Sequence, residues 1–282
     1  MNATSPQILR LVAFTEDPAG GNPAGVVPDA RGLDAAAMQA IAADVGFSET
    51  AFLVPASDDG VTFDVRYFSP QAEVPFCGHA TIASAVAVGS GDGAGRTQLL
   101  FRTAAGEVPV AVEAGRAALS SVAPHVEELS DADLDVALAL LRWSREDLEP
   151  ALPPRIAYAG ARHLILAAAT RDRLARLDYD FDGLRAFMLE RDLTTVDLVF
   201  RESASVFHAR NPFPVGGVVE DPATGAAAAA FGGYLRELAL VAPPTQVTVH
   251  QGHDMGRPST ILIDIPADDP SITVSGAAVP MA

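Results

Sequence analysis

Two segments of this chain consist almost entirely of small and apolar residues over the length of a helix. They cover residues 80–88 and 225–235. A helix that is apolar on every side is buried, and the small side chains predict a tight wall around each helix, such as a strongly curved sheet. His79 precedes the first segment, and Asp221 with Thr224 precedes the second. The sequence therefore predicts two copies of one plan, with lobes at residues 1–118 and 119–282.

Several segments alternate apolar and polar residues with a period of two, which is typical of half-buried strands. The clearest covers residues 61–68, where Val61, Phe63, Val65 and Tyr67 share one face. Comparable segments cover residues 8–14, 108–113, 246–250 and 261–265. Most are bounded by Gly, Pro or Asp, and many antiparallel strands favour a barrel or a sandwich.

Other helices are predicted from capping residues followed by apolar residues at helical spacing. Asp34 opens a helix that ends near Gly46, Ser130 opens another, and a third covers residues 180–191. Ser144 is the first residue of a further Ser-x-x-Asp pair, which predicts a short helical restart. Helices and strands together indicate an α+β protein. We interpret the glycine-rich stretch at 89–95 as a loop, because it follows a helix and not a strand.

The basic residues exclude several classes of enzyme. All 19 are Arg, and Lys does not occur in the 282 residues. Pyridoxal-phosphate racemases, lysine-dependent aldolases and Gly-Lys-Ser/Thr phosphate loops all need the missing amine. Cys77 is the single cysteine, so one chain can form neither a disulfide, nor a four-cysteine zinc site, nor a two-thiol racemase site.

The charge indicates which partners the protein has. With 36 acidic and 19 basic residues the net charge is −17, which repels phosphate backbones and anionic lipids. No apolar stretch is long enough to span a membrane. We therefore expect a cytoplasmic protein that binds neither nucleic acid nor membrane. An anionic small-molecule substrate would need local donors, such as helix N-termini.

Several blocks of sequence carry a family resemblance that extends over nearly the whole chain. They read Gly21-Asn-Pro-Ala-Gly-Val26, Ser48-Glu-Thr-Ala-Phe52, Val65-Arg-Tyr-Phe-Ser-Pro70, Glu73-Val-Pro-Phe-Cys-Gly-His-Ala-Thr81, Glu220-Asp-Pro-Ala-Thr-Gly225, Gln251-Gly252 and Met255-Gly-Arg-Pro-Ser259. In this order they resemble the PhzF phenazine-biosynthesis family, which has the diaminopimelate-epimerase-like fold. The resemblance implies two pseudo-symmetric lobes, each a barrel-like, mostly antiparallel sheet around a central helix. It also implies a homodimer that needs no cofactor.

The resemblance assigns roles to three side chains. The family's best-known activity is the isomerisation of trans-2,3-dihydro-3-hydroxyanthranilate, in which the Glu of the Ser-Glu-Thr block moves a proton between carbons. Here that residue is Glu49, expected to act as catalytic acid and base, while His79 and Asp221 resemble the family's active-site histidine and aspartate. Judged by themselves, Glu49 can begin a strand or cap a helix, His79 can be a buried histidine, and Asp221 can be a turn residue.

Substrate binding is expected at the starts of the two buried helices. There the backbone donors of Gly78, Gly225 and Ala226, together with Thr224, would hold a carboxylate. Many family members carry a serine where this chain has Ala226. The missing hydroxyl predicts a substrate related to that of the phenazine enzyme but different from it.

The function expected from the sequence is a cofactor-independent isomerase that moves a proton between carbons of a small unsaturated carboxylic acid. One alternative is an epimerase or racemase of a small amino-acid-like acid, but inversion usually needs two bases and only Glu49 is evident. Another is a non-catalytic small-molecule binding protein on the same fold. Cys77 is expected to be a small buried residue. His250 and His253 do not match a zinc-protease pattern, so we expect no metal.

Overall fold

The computed structural model describes residues 6–57, 59–89 and 95–281. Most of the loop predicted at 89–95 therefore lies outside the described residues. The chain divides into two compact units, Met1–Ser120 with Ser275–Ala282, and Ser121–Val274. No helix of the described part of the chain is long and apolar enough to cross a membrane.

Strands dominate both units. The strands of the described residues are β1 (Leu9–Ala13), β2 (Asn22–Val27), β3 (Glu49–Pro55), β4 (Thr62–Phe68), β5 (Glu73–Val74), β6 (Thr97–Thr103), β7 (Gly106–Glu113), β8 (Arg116–Ser120), β9 (His125–Glu128), β10 (Arg155–Tyr158), β11 (Arg162–Ala167), β12 (Thr195–Arg201), β13 (Val206–Phe213), β14 (Val218–Asp221), β15 (Thr245–Gln251), β16 (Ser259–Ile265) and β17 (Thr273–Pro280). The helices are α1 (Ala35–Val45), α2 (Gly78–Gly89), α3 (Asp131–Leu141), α4 (Arg171–Ala175), α5 (Phe181–Glu190) and α6 (Gly225–Glu237). Turns of 3-10 helix cover Arg145–Asp147, Pro214–Gly216 and His253–Met255.

The first unit is a closed barrel of eight strands around a helix. The strands pair in the order β17, β1, β2, β3, β4, β6, β7 and β8, and β8 pairs with β17 to close the ring. The pairs β2–β3 and β4–β6 are parallel. Helix α2 packs against β1, β2, β3, β6, β7 and β8, and its residues 79–86 are all buried. The predicted buried helix of the first half is confirmed.

The C-terminal strand belongs to the first unit. The sequence predicts one lobe at residues 1–118 and the other at 119–282. Instead, Ser275–Ala282 groups with the first unit, because β17 pairs with both β1 and β8. The residues of a strand do not by themselves indicate which distant segments of the sequence it will pair with.

The second unit repeats the same plan. Its strands pair in the order β9, β10, β11, β12, β13, β15 and β16, with β14 beside β13. The pairs β11–β12 and β13–β15 are parallel, like β2–β3 and β4–β6. Helix α6 packs against β9, β10, β11 and β16, and its residues 227–235 are buried. The predicted α+β fold of two similar lobes, each a sheet around a central helix, is confirmed.

The capped helices form where the sequence predicts them. Asp34 accepts a hydrogen bond from the Ala37 N–H at 2.8 Å, and Gly46 ends α1 in the left-handed conformation. Ser130 caps α3 and Asp180 caps α5. The restart predicted at Ser144 is a single turn of 3-10 helix. The side chains of Asp34, Ser130 and Asp180 each accept from a backbone N–H that has no partner within its helix.

Candidate active site

A carboxylate, a thiol and an imidazole meet in the first unit. Glu49 Oε2 lies 3.3 Å from His79 Nε2, and Cys77 Sγ donates a hydrogen bond to the same Glu49 oxygen at 3.5 Å. The Cys77 sulfur is also 3.4 Å from His79 Nδ1 and 3.8 Å from His79 Nε2. Cys77 and His79 are buried, whereas the Glu49 side chain keeps 17% of its surface exposed. The structure therefore brings two of the three expected catalytic residues into contact.

The local fold explains why these side chains meet. Glu49 is the first residue of β3 and is paired with Ala24 on the parallel strand β2. At the start of α2, the Thr81 hydroxyl donates to the Cys77 carbonyl and lies 2.7 Å from the Tyr67 hydroxyl of β4. Burial raises the pKa of Tyr67 far above its usual value. These contacts fix the first turn of α2 against the barrel wall beside Glu49.

Ser48 is a member of this cluster to which the sequence assigned no role. Its hydroxyl lies 3.3 Å from His79 Nε2. It immediately precedes Glu49 in the Ser-Glu-Thr block, so the resemblance contained the signal. The predicted donor Gly78 opens α2, and a Cβ built there would meet no heavy atom within 4 Å. Open space therefore adjoins the first residue of the helix.

A second polar cluster lies in the other unit. Asp221 is the last residue of β14, and its Oδ2 accepts a 2.6 Å hydrogen bond from the Thr224 hydroxyl. Gln251, a buried residue at the end of β15, accepts from the Thr224 N–H at 3.0 Å and donates to the Asp221 carbonyl at 2.7 Å. The sequence block contained Gln251 but gave it no role. Its amide fixes the short loop that joins Asp221 to α6.

A buried ion pair anchors the hairpin that carries Asp221. Arg210 of β13 donates to both oxygens of Glu220 in β14, at 2.9 and 2.5 Å. The same guanidinium donates to the Ala175 carbonyl at 2.6 Å. Two parallel charge-assisted bonds fix direction as well as distance, so they determine where the following Asp221 leaves the strand.

The remaining predicted substrate-binding residues open α6. Gly225 and Ala226 are its first two residues, and both are half-buried. The first N–H groups of a helix have no partner within the helix, and they carry partial positive charge. Thr224 immediately precedes α6 as Cys77 immediately precedes α2. The second repeat thus has an alcohol where the first has a thiol.

Potential metal ligands converge in one place. Among the described residues, Glu49, Cys77 and His79 are the group of three whose ligand atoms all lie within 4.8 Å of one another. The His250 and His253 rings are 5.5 Å apart. Neighbouring Asp254 is held by Arg171, at 2.9 Å.

The repeated sheet-around-helix plan, with polar residues at the start of each central helix, defines the diaminopimelate-epimerase-like class. Solved structures agree with this class. A predicted epimerase from Pseudomonas aeruginosa is 29% identical with a TM-score of 0.85, over 99% of this chain and 98% of that chain. A probable proline racemase from Agrobacterium radiobacter has a TM-score of 0.66 over 98% of this chain and 91% of that chain, but at 13% identity it shows the fold alone.

Within that class the chain belongs to the phenazine biosynthesis-like family, PhzC-PhzF, whose model matches residues 11–282. It is an isomerase, like its curated relatives. The uncharacterized isomerase YddE of Escherichia coli O157:H7 is 32% identical over 97% of this chain and 96% of that protein. The trans-2,3-dihydro-3-hydroxyanthranilate isomerase of Pseudomonas aeruginosa is 31% identical over 88% of this chain and 86% of that protein.

Proposed function

We propose that this isomerase moves a proton between carbons of a small unsaturated carboxylic acid, with Glu49 as both base and acid. The observation that carries the proposal is the Glu49–His79 contact of 3.3 Å at the start of α2. A carboxylate can take a proton from an acidified carbon and return it to another. The partial exposure of Glu49 leaves it accessible to a substrate.

In the first step the Glu49 carboxylate removes a proton from a carbon next to the unsaturated system. The electron pair of the broken C–H bond then delocalises over that system and the substrate carboxylate. In the second step the Glu49 carboxylic acid returns the proton to a different carbon. Substrate and product therefore have the same composition, and neither is oxidised or reduced. His79 orients the Glu49 carboxylate or donates a hydrogen bond to the substrate.

We assign binding of the anionic substrate to local donors, because the net charge of −17 repels anions. Preorganised N–H groups at Gly78, Gly225 and Ala226 suit a carboxylate or a delocalised anion. Asp221, fixed by Thr224 and Gln251, is proposed to orient a polar group of a bound small acid. Following the resemblance, we expect the chain to act as a cytoplasmic homodimer that requires neither metal nor cofactor.

The relative that acts on trans-2,3-dihydro-3-hydroxyanthranilate suggests this compound as the first substrate to test. Ala226 argues for a modified preference, because the family's serine hydroxyl is missing. A hydrogen bond between the protein and a substrate group contributes strongly to discrimination between substrates. Loss of the serine hydroxyl is therefore expected to change which substrate is preferred.

Epimerisation is the second candidate, supported by the predicted epimerase of similar structure. Inversion at one carbon usually needs a base on each face. Thr224, which matches Cys77 in position, carries an alcohol that does not ionise at neutral pH. This difference favours proton transfer between two carbons through the single carboxylate of Glu49.

The test follows trans-2,3-dihydro-3-hydroxyanthranilate by NMR in deuterium oxide. The wild-type protein should form the isomer and incorporate solvent deuterium at carbon. Glu49→Gln should lower the rate by about 100-fold or more, the lower end of what a general acid–base group contributes. The matched control is Glu107→Gln, an exposed carboxylate on β7 whose nearest cation is Arg102 at 3.6 Å, and it should retain the wild-type rate.

Ala226→Ser tests the substrate preference in the same assay. If the missing hydroxyl determines the preference, the serine variant converts this substrate faster than the wild-type protein.

The same assay has three other informative outcomes. Glu49-dependent deuterium exchange into other small acids would support the proposed mechanism and identify a different substrate. Equal rates in the wild-type and Glu49→Gln proteins would contradict the role of Glu49, and ligand binding without any exchange would indicate a binding protein.

A further inference from the structure

A carboxylate oxygen, a thiol sulfur and an imidazole nitrogen, each a possible metal ligand, lie within 4.8 Å of one another beside the start of α2. Glu49 Oε2 lies 3.3 Å from His79 Nε2 and 3.5 Å from Cys77 Sγ. The Cys77 sulfur lies 3.4 Å from His79 Nδ1 and 3.8 Å from His79 Nε2. A tetrahedral ion with ordinary zinc–ligand bond lengths places nitrogen and oxygen ligands about 3.4 Å apart, and sulfur about 3.6 Å from either. The two separations that involve Glu49 Oε2 agree with these values. The sulfur lies closer to His79 Nδ1 than to Nε2, so the imidazole must rotate to direct Nε2 towards an ion shared with Cys77.

We propose that Glu49, Cys77 and His79 form a binding site for a soft divalent ion such as Zn²⁺, and that the ion inhibits the isomerase by occupying Glu49. The ion is an inhibitor and takes no part in the reaction. Three protein ligands leave one tetrahedral position for water or for the substrate carboxylate. The inhibitory role rests on the proposed function of Glu49, whereas binding of the ion can be measured without turnover.

The donor atoms determine which ions fit. Thiolate and imidazole ligands prefer Zn²⁺ and similar ions, whereas Mg²⁺ and Ca²⁺ prefer sites made of oxygen. At present the Cys77 thiol donates its proton towards Glu49 Oε2. On binding, the sulfur loses that proton to solvent and bonds to the ion, so no oxidant or reductant is needed.

Access and preorganisation both support the site. The Glu49 side chain reaches the surface, and open space adjoins Gly78. Cys77 and His79 are separated by one residue, and the bonds from Thr81 to Cys77 fix the backbone that carries them. A tetrahedral site therefore requires rotation of the His79 imidazole, on a backbone that these bonds already fix.

Co²⁺ is the probe for the test, because a thiolate bonded to Co²⁺ gives a charge-transfer absorbance that imidazole and carboxylate ligands do not give. The chain has one cysteine, so this band reports Cys77 alone. We expect one Co²⁺ per chain with the thiolate band, displaced by Zn²⁺ and unaffected by excess Mg²⁺. Glu49-dependent deuterium exchange by the wild-type protein should stop at the same Zn²⁺ concentration.

Variants identify the ligands. Cys77→Ser should abolish the band, and His79→Asn should weaken Co²⁺ binding by at least the 10- to 100-fold typical of lost outer-shell partners. The matched control is His253→Asn, which alters the other group of histidines, His208, His250 and His253, whose neighbouring rings are 5.4 to 6.3 Å apart. This control should keep the band and the affinity.

Alkylation of the wild-type protein provides a measurement that does not depend on how the variants fold. Zn²⁺ should protect Cys77 from iodoacetamide, and Mg²⁺ should not. The proposal is overturned if Co²⁺ binds without a thiolate band, if Zn²⁺ leaves the alkylation rate unchanged, or if His253→Asn removes the binding. Metal binding without loss of activity would overturn the inhibitory role and leave the binding site in place.

Discussion

At the scale of single residues, the second unit contains a buried network of hydrogen-bonded side chains that includes none of the residues of the two polar clusters described above. His163 Nδ1 lies 2.8 Å from the Thr195 hydroxyl, which donates to Asn211 Oδ1, and Asn211 donates to Asp197 Oδ1 at 2.9 Å. Burial lowers the pKa of His163 to about 3 and raises that of Asp197 to about 7. The folded protein is therefore most stable when His163 is neutral and Asp197 is protonated.

Asp197→Asn tests this pattern through the dependence of stability on pH. The folded state raises the pKa of Asp197 above its unfolded value of 3.8, so its stabilising contribution is complete below pH 4 and is lost as the pH rises through about 7. The wild-type advantage in unfolding free energy over the Asn variant should therefore decrease between these limits, by a few kcal/mol. Urea unfolding at several pH values measures it.

The comparison with Asn also removes the opposing contribution of His163. The pKa of His163 is lower in the folded state, so its contribution is present above pH 6.5 and is lost as the pH falls towards 3. This contribution is common to both proteins and cancels in their difference. Parallel stability curves for the two proteins would contradict the raised pKa of Asp197.

At the scale of elements, α6 can fit its surroundings only because part of its surface is glycine. A Cβ on Gly232 would lie 2.7 Å from Ile263 and 2.8 Å from Ile272, and one on Gly233 would lie 2.5 Å from Pro124. Real side chains essentially never come so close to a buried neighbour. The run of small residues is therefore a requirement of packing, in spite of the poor helix propensity of glycine.

Gly232→Ala separates packing from propensity. Helix propensity alone predicts that alanine stabilises α6 by about 1 kcal/mol, whereas overpacking costs about 1–3 kcal/mol. We expect net destabilisation, measured as a lower urea midpoint with an unchanged slope. The control is Gly95→Ala, because a Cβ at this exposed residue meets no atom within 4 Å, and its midpoint should change little. A stabilised Gly232→Ala protein would refute the close packing.

At the scale of the whole molecule, the barrel of the first unit is closed by the last strand of the chain. β17 pairs with β1 and β8, so without it both would become unpaired edges. Unpaired edges invite aggregation. Deleting residues 275–282 should lower the unfolding temperature and cause aggregation, as seen by calorimetry and light scattering.

A synthetic peptide of residues 273–282, added to the shortened protein, should restore part of the lost stability by pairing as an added strand. An unchanged unfolding temperature would contradict a stabilising role for the closure.

The sequence predicted the elements that have strong local patterns and missed strands that lack them. The five alternating segments correspond to β1, β4, β7, β15 and β16. Strands such as β11 and β12 were missed because they are buried on both faces, so their residues do not alternate. In the site, the resemblance predicted that Glu49 and His79 belong together. It gave no role to Cys77, Ser48 or Gln251, because the roles of these residues depend on contacts that form only in the folded protein.

The caps, the alternating strands, the two small-residue helices and the family follow from the amino-acid sequence alone, because each depends on residues close together in the chain or on motifs in a fixed order. The return of β17 to the first unit and the contact between Glu49 and Cys77 arise only when the chain folds. The same is true of the left-handed backbone of Phe14 (φ 63°), whose ring packs against Gly276 of β17. These features depend on strand pairing between distant segments, and local spacing does not encode which distant segment a strand will meet.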